Sequence, residues 1–192
     1  IGGSVFQSYT TPEEWIHAVR AEGYSAAFCP VGDEADSDTV RAYARAAQRA
    51  DIVIAEVGAW GFNPISPDDE VRRAGIEGCC RRLDLADNIG AVCCVNVAGS
   101  RGEDWAGPHP DNLTEETFAL IVDSVREIID TVRPVRAFYT LETMPWMYPD
   151  SAQSYERLIE AINRRQFGVH LDPVNIVTGP RIYYNTTALL KE

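Results

Sequence analysis

Two stretches decide the fold of this chain: AFYTLETMPW at Ala137–Trp146 and FGVHLDPVN at Phe167–Asn175. Each is an apolar, β-prone run that ends on a carboxylate, Glu142 in the first and Asp172 in the second. The two acids are 30 residues apart, which is about one strand–helix–strand step. Consecutive parallel strands end at the same edge of a sheet, where α/β folds bind ligands. We therefore expect Glu142 and Asp172 to lie close together at that edge.

The same alternation of β-prone runs and helical patterns extends along the whole chain. Near-continuous apolar runs such as DIVIAEV and AVCCVNV are typical of strands that are buried on both faces of a parallel sheet. Helix starts are predicted between them at Thr11, Ser66 and Thr114, and within Asp150–Gln153, from their N-capping patterns. The predicted strands are Ile1–Phe6, Ser25–Cys29, Ile52–Val57, Val92–Val97, Ala137–Glu142 and Gly168–Asp172.

This order of elements predicts an α/β fold with about six of the eight strand–helix units of a TIM-type (β/α)8 barrel. A complete barrel needs about 250 residues, whereas the chain has 192. We therefore expect one domain over residues 1–192 that is incomplete at its C-terminal side, and an isolated 192-residue chain that is inactive. An open doubly wound sheet is the alternative. It is less favoured because no GxGxxG motif follows the first strand and no P-loop is present.

Composition narrows the class of protein. The net charge of −12 disfavours a nucleic-acid partner, because phosphate binding needs a basic surface. No apolar run approaches the roughly 18–20 residues of a membrane span, so we expect no membrane association. Five cysteines without CxxC spacing predict reduced, structural thiols and a cytoplasmic location. A homo-oligomeric state is left open. The cysteines are Cys29, Cys79, Cys80, Cys93 and Cys94.

Glu142 and Asp172 are the strongest candidates for chemistry. A single strand-end carboxylate is as well explained by helix capping or an ion pair, but two at matching positions favour a metal site or an acid–base pair. Oxygen ligands suit a divalent cation such as Mn, Mg, Co or Zn. His170 shares a strand face with Asp172, and we interpret it as a neighbour of the site, with a role as ligand left open.

Other strand ends carry polar and aromatic residues. Glu56 and Asn96 follow the third and fourth apolar runs and could point into the barrel mouth, although an ion pair and a turn are the respective alternatives. Trp60, Phe62 and Trp146 lie just past strand ends, where aromatic rings form apolar walls for a sugar-like ligand. Burial under loops would give the same pattern.

The loop GSRGEDWAGPHP at Gly99–Pro110 is long and rich in glycine and proline. Loops of this kind, between a strand and the next helix, hold substrate-binding groups in barrels. Arg101 could bind a phosphate or carboxylate in bidentate fashion, and His109 is a second candidate for substrate contact. A solvated surface loop is a nearly equal interpretation.

The chain resembles the sugar phosphate isomerase/epimerase-like, or xylose-isomerase-like, TIM barrels. The likeness rests on EVGAW at Glu56–Trp60, NVAGSRG at Asn96–Gly102, LETMPW at Leu141–Trp146 and HLDPVN at His170–Asn175. This resemblance implies that Glu142 and Asp172 bind a divalent metal. It also implies two further ligands, a His on a seventh strand and a Glu on an eighth, beyond the end of this sequence.

The function that the resemblance implies is a metal-dependent isomerase or epimerase. Its substrate would be a sugar, sugar phosphate or hydroxy-keto acid, and the reaction would pass through an enediolate with Glu142 near the moving proton. A metal-dependent lyase, either a dehydratase or a deglycosidase, and a degenerate barrel that serves as a binding subunit are the alternatives. Asn175 stands where ketose 3-epimerases carry a His, and Met147 and Tyr148 stand where they carry a second Glu. We expect Asn175 to contact the substrate.

Overall fold

The computed structural model describes residues 1–191. Its strands pair only in parallel, in the orders β1–β2–β3 and β4–β5–β6–β7. Helices separate consecutive strands along the chain, except where one strand is divided in two at Ala55, so the predicted α/β barrel-type fold is confirmed. The strands are β1 (Gly2–Gly3), β2 (Ala26–Ala27), β3 (Val53–Ile54), β4 (Glu56–Gly58), β5 (Cys93–Asn96), β6 (Phe138–Glu142) and β7 (Phe167–His170).

Strands β3 and β4 are one predicted strand that is interrupted at Ala55. On one side, the Ala55 N–H donates to the Ala27 carbonyl at 2.8 Å. On the other, the Val92 N–H donates to the Ile54 carbonyl at 3.0 Å. The same stretch of chain therefore contacts both neighbours and joins the two groups of strands into one curved, parallel layer.

The helices begin largely where the capping patterns predict. At Thr11 the hydroxyl accepts from the Glu14 N–H and the Glu14 carboxylate accepts from the Thr11 N–H, both at 3.2 Å. The start predicted at Ser66 is wrong: the Asp68 carboxylate caps the helix, which begins at Asp69. The helices are α1 (Pro12–Ala21), α2 (Ser37–Ala50), α3 (Asp69–Ile89), a 3₁₀ turn (Pro110–Leu113), α4 (Glu115–Val132), α5 (Ala152–Ile162), α6 (Pro180–Tyr183) and α7 (Thr186–Leu189).

The main hydrophobic core lies between the strands and the helices. Leu141 of β6 packs there, fully buried like Leu83 of α3 and Leu158 of α5. Successive strand residues point to opposite faces, so Glu142, the neighbour of Leu141 on β6, faces the inside of the curve. In the described residues, no helix is long and apolar enough to cross a membrane.

All five cysteines are free thiols. Cys79 of α3 and Cys94 of β5 are fully buried, and burial raises the pKa of Cys79 to about 11. Cys93, the neighbour of Cys94, lies on the opposite face of the strand, beside Glu56. These environments suit inert structural thiols.

Candidate functional site

Strands β6 and β7 bring the two predicted carboxylates together. Glu142 and His170 are directly paired residues at the end of the β6–β7 ladder, and Asp172 follows His170 by two residues. Burial raises the pKa of Glu142, and the neighbouring Asp172 carboxyl raises it further. The nearby His170 opposes this shift. The site therefore concentrates negative charge, which favours binding of a cation.

Both carboxylates are held by hydrogen bonds from the loop after β7. The Asn175 amide donates to Glu142 Oε1 at 2.9 Å. The Val174 N–H donates to Asp172 Oδ1 at 2.7 Å. Each of these hydrogen bonds engages one oxygen of its carboxylate. Asn175, which was predicted to bind substrate, thus contacts Glu142 directly.

A histidine–glutamate pair crosses the inside of the curved sheet. His170 Nε2 lies 3.1 Å from Glu56 Oε2, although β5 and β6 separate β7 from β4. The hydrogen bond to Glu56 raises the pKa of His170, with burial acting in the opposite direction. Glu56 begins β4 rather than ending a strand, because the chain continues as a strand to Gly58.

Tyr155 of α5 supports the ends of β6 and β7, and the sequence analysis missed it. Its hydroxyl donates to the Leu141 carbonyl and accepts from the His170 N–H at 3.0 Å. These two backbone groups are next to Glu142 and to the imidazole of His170. The periodicity of α5 marks Tyr155 as an inward-facing residue, but no sequence signal indicates which backbone groups its hydroxyl meets.

Trp60 lies on the same face as Glu56. A Cβ atom added to Gly58 would be only 2.2 Å from Trp60 Nε1, so the indole occupies the space that a side chain at Gly58 would fill. The Trp60 side chain is still partly exposed. The indole therefore covers Gly58, two residues after Glu56 on the same strand.

Trp146 belongs to a set of loops that a buried asparagine joins. The amide of Asn112 donates to the carbonyls of Gly107 and Trp146, and its oxygen accepts from the Arg101 N–H at 2.8 Å. The indole N–H of Trp146 donates to the Ala106 carbonyl at 2.9 Å. Trp146 is thereby fixed above the loop after β5.

Arg101 and His109 come together away from the carboxylates. They line a cavity of about 530 Å³ with Trp105, between the loops that follow β4 and β5. The Arg101 guanidinium donates to the Ile65 carbonyl at 2.7 Å. His109 Nδ1 accepts from the Asp111 N–H at 3.3 Å. Neither Glu142 nor Asp172 lines this cavity, so the structure does not bring these predicted contacts into the carboxylate site.

The expectation that Asn96 points into the barrel mouth is wrong. Its amide donates to the Phe62 carbonyl at 3.2 Å and to Cys79 Sγ at 3.3 Å. Asn96 shares the strand face of Cys94, two residues earlier, and this face packs on α3. The residue does end β5 as predicted, but the alternation of side chains turns it toward the helices.

The carboxylate pair fits part of a metal site. Glu142 and Asp172 supply hard oxygen donors of the kind that Mg²⁺ or Mn²⁺ prefers. Within residues 1–191, no group of three or more His, Cys, Asp or Glu side chains is arranged to hold a metal ion. The described residues thus offer two candidate ligands, and water or substrate oxygens would have to provide the others.

Comparison with solved structures places this geometry among known folds. A D-psicose 3-epimerase, solved in the presence of D-fructose, aligns with a TM-score of 0.69 and 16% identity over 91% of this chain and 64% of its own. A xylose isomerase-like TIM barrel protein from Mycobacterium smegmatis, in complex with magnesium, aligns with a TM-score of 0.64 and 16% identity over 94% of this chain and 64% of its own.

A third similar structure is the probable 3-DHS dehydratase AsbF of Bacillus anthracis. It aligns with a TM-score of 0.66 and 16% identity over 97% of this chain and 66% of its own. The present chain thus spans 64% of the length of the epimerase. No curated protein sequence matches the chain. Identities this low show a shared fold.

The family is shown by a sequence model. The model described as "Xylose isomerase-like TIM barrel" matches residues 16–189, nearly the whole chain. Together with the parallel strand order and the paired carboxylates at the ends of β6 and β7, this match establishes that the chain belongs to the xylose isomerase-like TIM barrel family.

Proposed function

We propose that this protein is a divalent-metal-dependent isomerase or epimerase that acts on a sugar or a sugar-like hydroxy-carbonyl compound. The observation that carries the proposal is the adjacent pair Glu142 and Asp172, held by Asn175 and Val174 at the ends of β6 and β7. Similar structures that include a D-psicose 3-epimerase and a magnesium-bound barrel support the choice of reaction and cofactor.

In the proposed mechanism, Glu142 and Asp172 hold the metal. When bound, a divalent ion would supply Lewis-acid stabilisation of the charge that develops on an enediolate. Glu142 would also lie near the substrate carbon that exchanges a proton. In the metal-free site, burial and the Asp172 carboxyl raise the pKa of Glu142, so a bound cation would stabilise its charged form.

The other residues of the site would orient the substrate. Glu56 holds the imidazole of His170 through Nε2. A substrate oxygen that replaces the Glu56 carboxylate would accept from this nitrogen. The Trp60 indole would pack against the apolar face of a sugar ring. The hydrogen bond from the Asn175 amide restrains the orientation of the Glu142 carboxylate, which lowers the reorganisation needed for proton transfer.

A lyase is the second candidate function. The probable 3-DHS dehydratase that this chain resembles in structure favours it, because elimination can use a similar stabilised enolate. The two reactions differ in product: an isomerase conserves the mass of its substrate, whereas a dehydratase releases water. A degenerate barrel that only binds a ligand is a third reading. For the cellular setting we propose the cytoplasm, which the five free thiols support.

The deciding experiment combines a substrate panel with metal binding. The full-length protein is stripped of metal, reloaded with Mn²⁺, and incubated with ketoses, aldoses, their phosphates and hydroxy-keto acids. Products are identified by mass and NMR. We expect an isomer of equal mass, formed only with metal. Products lighter by one water would replace the isomerase assignment with the lyase.

A variant of the first carboxylate tests the metal site itself. Glu142→Gln keeps the size of the side chain and an oxygen that can accept from Asn175, but it removes the charge. We expect bound Mn²⁺ and turnover to fall together. Asp123→Asn, on the exposed face of α4, is the control for loss of one negative charge. Unchanged metal content and turnover in Glu142→Gln would refute the ligand role.

A further inference from the structure

Thr143 directly follows Glu142 and contacts the backbone of Asp172. Its hydroxyl oxygen lies 3.2 Å from the Asp172 N–H, from which it accepts. The same hydroxyl lies 3.4 Å from the Asp172 carbonyl, to which it donates. Thr143 is 3% exposed, so water has little access to replace either contact.

These contacts occur where the β6–β7 ladder ends. The last backbone hydrogen bond between the two segments runs from the Thr143 N–H to the His170 carbonyl at 3.4 Å. Asp172 lies two residues beyond the end of β7. The threonine hydroxyl therefore continues the pairing by one step, with a side chain in place of the backbone carbonyl.

The hydroxyl is well suited to fixing the position of Asp172. A β-branched side chain has restricted rotation about χ1, so the oxygen of a buried threonine is held in a narrow range of positions. Because the hydroxyl meets both the N–H and the carbonyl of one residue, it restrains the peptide groups on either side of the Asp172 Cα. The Val174 N–H then fixes the carboxylate.

We propose that Thr143 is a positioning residue for the metal site, which sets the separation between the Glu142 and Asp172 carboxylates through the backbone of Asp172. The inference rests on the proposed function, since it requires that the two carboxylates share a metal ion. Thr143 itself contacts neither the metal nor the substrate in this assignment.

The test measures Mn²⁺ affinity of the metal-free, full-length protein by calorimetry, with no substrate present. Thr143→Val has nearly the same shape but lacks the hydroxyl, and Thr143→Ser restores the hydroxyl. Thr140→Val is the matched control, since Thr140 is also 3% exposed on β6 and its hydroxyl donates to the Cys94 carbonyl at 3.2 Å. Circular dichroism and Tm report on folding.

We expect Thr143→Val to weaken Mn²⁺ binding by about 10-fold or more, as loss of a group that orients a metal ligand does. Thr143→Ser and Thr140→Val should bind Mn²⁺ within about twofold of the unchanged protein. The Tm of Thr140→Val should nevertheless fall, because this variant also loses a buried hydrogen bond. If Thr143→Val lowers Tm but leaves the Mn²⁺ affinity unchanged, Thr143 is only structural and the inference is wrong.

Two further outcomes are decisive. If Thr143→Val does not fold, Thr143→Ala takes its place. The inference is then overturned if Thr143→Ala and Thr143→Ser bind Mn²⁺ with equal affinity. If the unchanged protein binds no Mn²⁺, the metal-dependent function fails, and the role of Thr143 fails with it. Metal binding that is normal in the unchanged protein and in Thr143→Val overturns the positioning role alone.

Discussion

The two faces of strands β5 and β6 both carry polar residues, but they differ in how deeply those residues are buried. Toward the helices, Asn96 and Tyr139 are completely buried beside Cys79. Toward the inside of the curve, Glu142 is only partly buried, and Cys93 lies near Glu56. The first face belongs to the core, whereas the second carries the ionisable groups of the candidate site.

This difference teaches that a polar residue at a strand end is informative only once its face is known. Leu141 and Glu142 are neighbours in sequence, yet one is a core residue and the other a candidate metal ligand. Substitutions at such adjacent positions should therefore separate stability from chemistry. The distinction between the two faces is wrong if substitutions on both faces change stability and activity in the same way.

The largest effect is expected on the inner face, at Asp172. Asp172→Asn keeps an oxygen that can accept from the Val174 N–H but removes the charge that would bind a metal. We expect kcat/KM to fall roughly 1,000-fold, equivalent to about 4 kcal/mol of transition-state stabilisation. Tm of the metal-free protein should change little. Steady-state kinetics with Mn²⁺ on the substrate found in the panel checks this, and a loss below fivefold would contradict it.

The next largest effect is expected on the helix-facing side, at Leu141. Leu141→Ala leaves a cavity in the core and should lower the free energy of unfolding by about 2–5 kcal/mol. The residue paired with it, Val169, is 56% exposed, so Val169→Ala is the control and should cost far less. Urea unfolding measures both. Equal losses would show that the two positions are not differently buried.

A smaller effect, of opposite sign, is expected at Tyr139. Its hydroxyl is buried and forms no hydrogen bond among the described residues. Removing an unsatisfied buried polar group is neutral or favourable. Tyr139→Phe should therefore leave stability unchanged or raise it by up to about 1 kcal/mol, with Mn²⁺ affinity unaltered. A clear loss in thermal unfolding would show that the hydroxyl is paired.

The smallest effect is the pH dependence of stability at Glu142. Since its pKa is raised in the folded protein, folding favours the protonated form, and stability falls as pH rises through that pKa. Metal-free Glu142→Gln should thus have a Tm about 1–2 °C above the unchanged protein at pH 7.5, a size reduced by solvent screening. The difference should vanish near pH 4. A lower Tm for Glu142→Gln at pH 7.5 would reverse the sign that we infer.

Much of the fold could be predicted from local pattern. The apolar runs located every strand, and Thr11, Thr114 and Ser151 cap the helices that follow them. Two details could not be predicted. Ala55 interrupts the third run because the strand pairs with different neighbours before and after it. The helix predicted to start at Ser66 is capped by Asp68 instead, because the Asp68 carboxylate accepts from two backbone N–H groups of the first turn.

The candidate site was predicted only in part, for a similar reason. The common location of Glu142, Asp172 and His170 could be predicted because each residue lies at or just beyond the end of a strand. Tyr155 and Thr143 were missed because their importance lies in the distant backbone groups that their hydroxyls contact. Arg101 and His109 were predicted from loop composition, which does not indicate the direction in which a loop folds.

The sequence by itself determined the alternation of strands and helices, the capping of most helices and the arrival of two carboxylates at one edge. These features depend on residues that are close along the chain, where periodicity and capping act. Only the tertiary structure decided that Glu56 meets His170 across the curved sheet, that Asn96 turns toward α3, and that the cavity of Arg101 is separate from the carboxylates. Such contacts depend on strand tilt and loop packing, which join residues up to 114 positions apart.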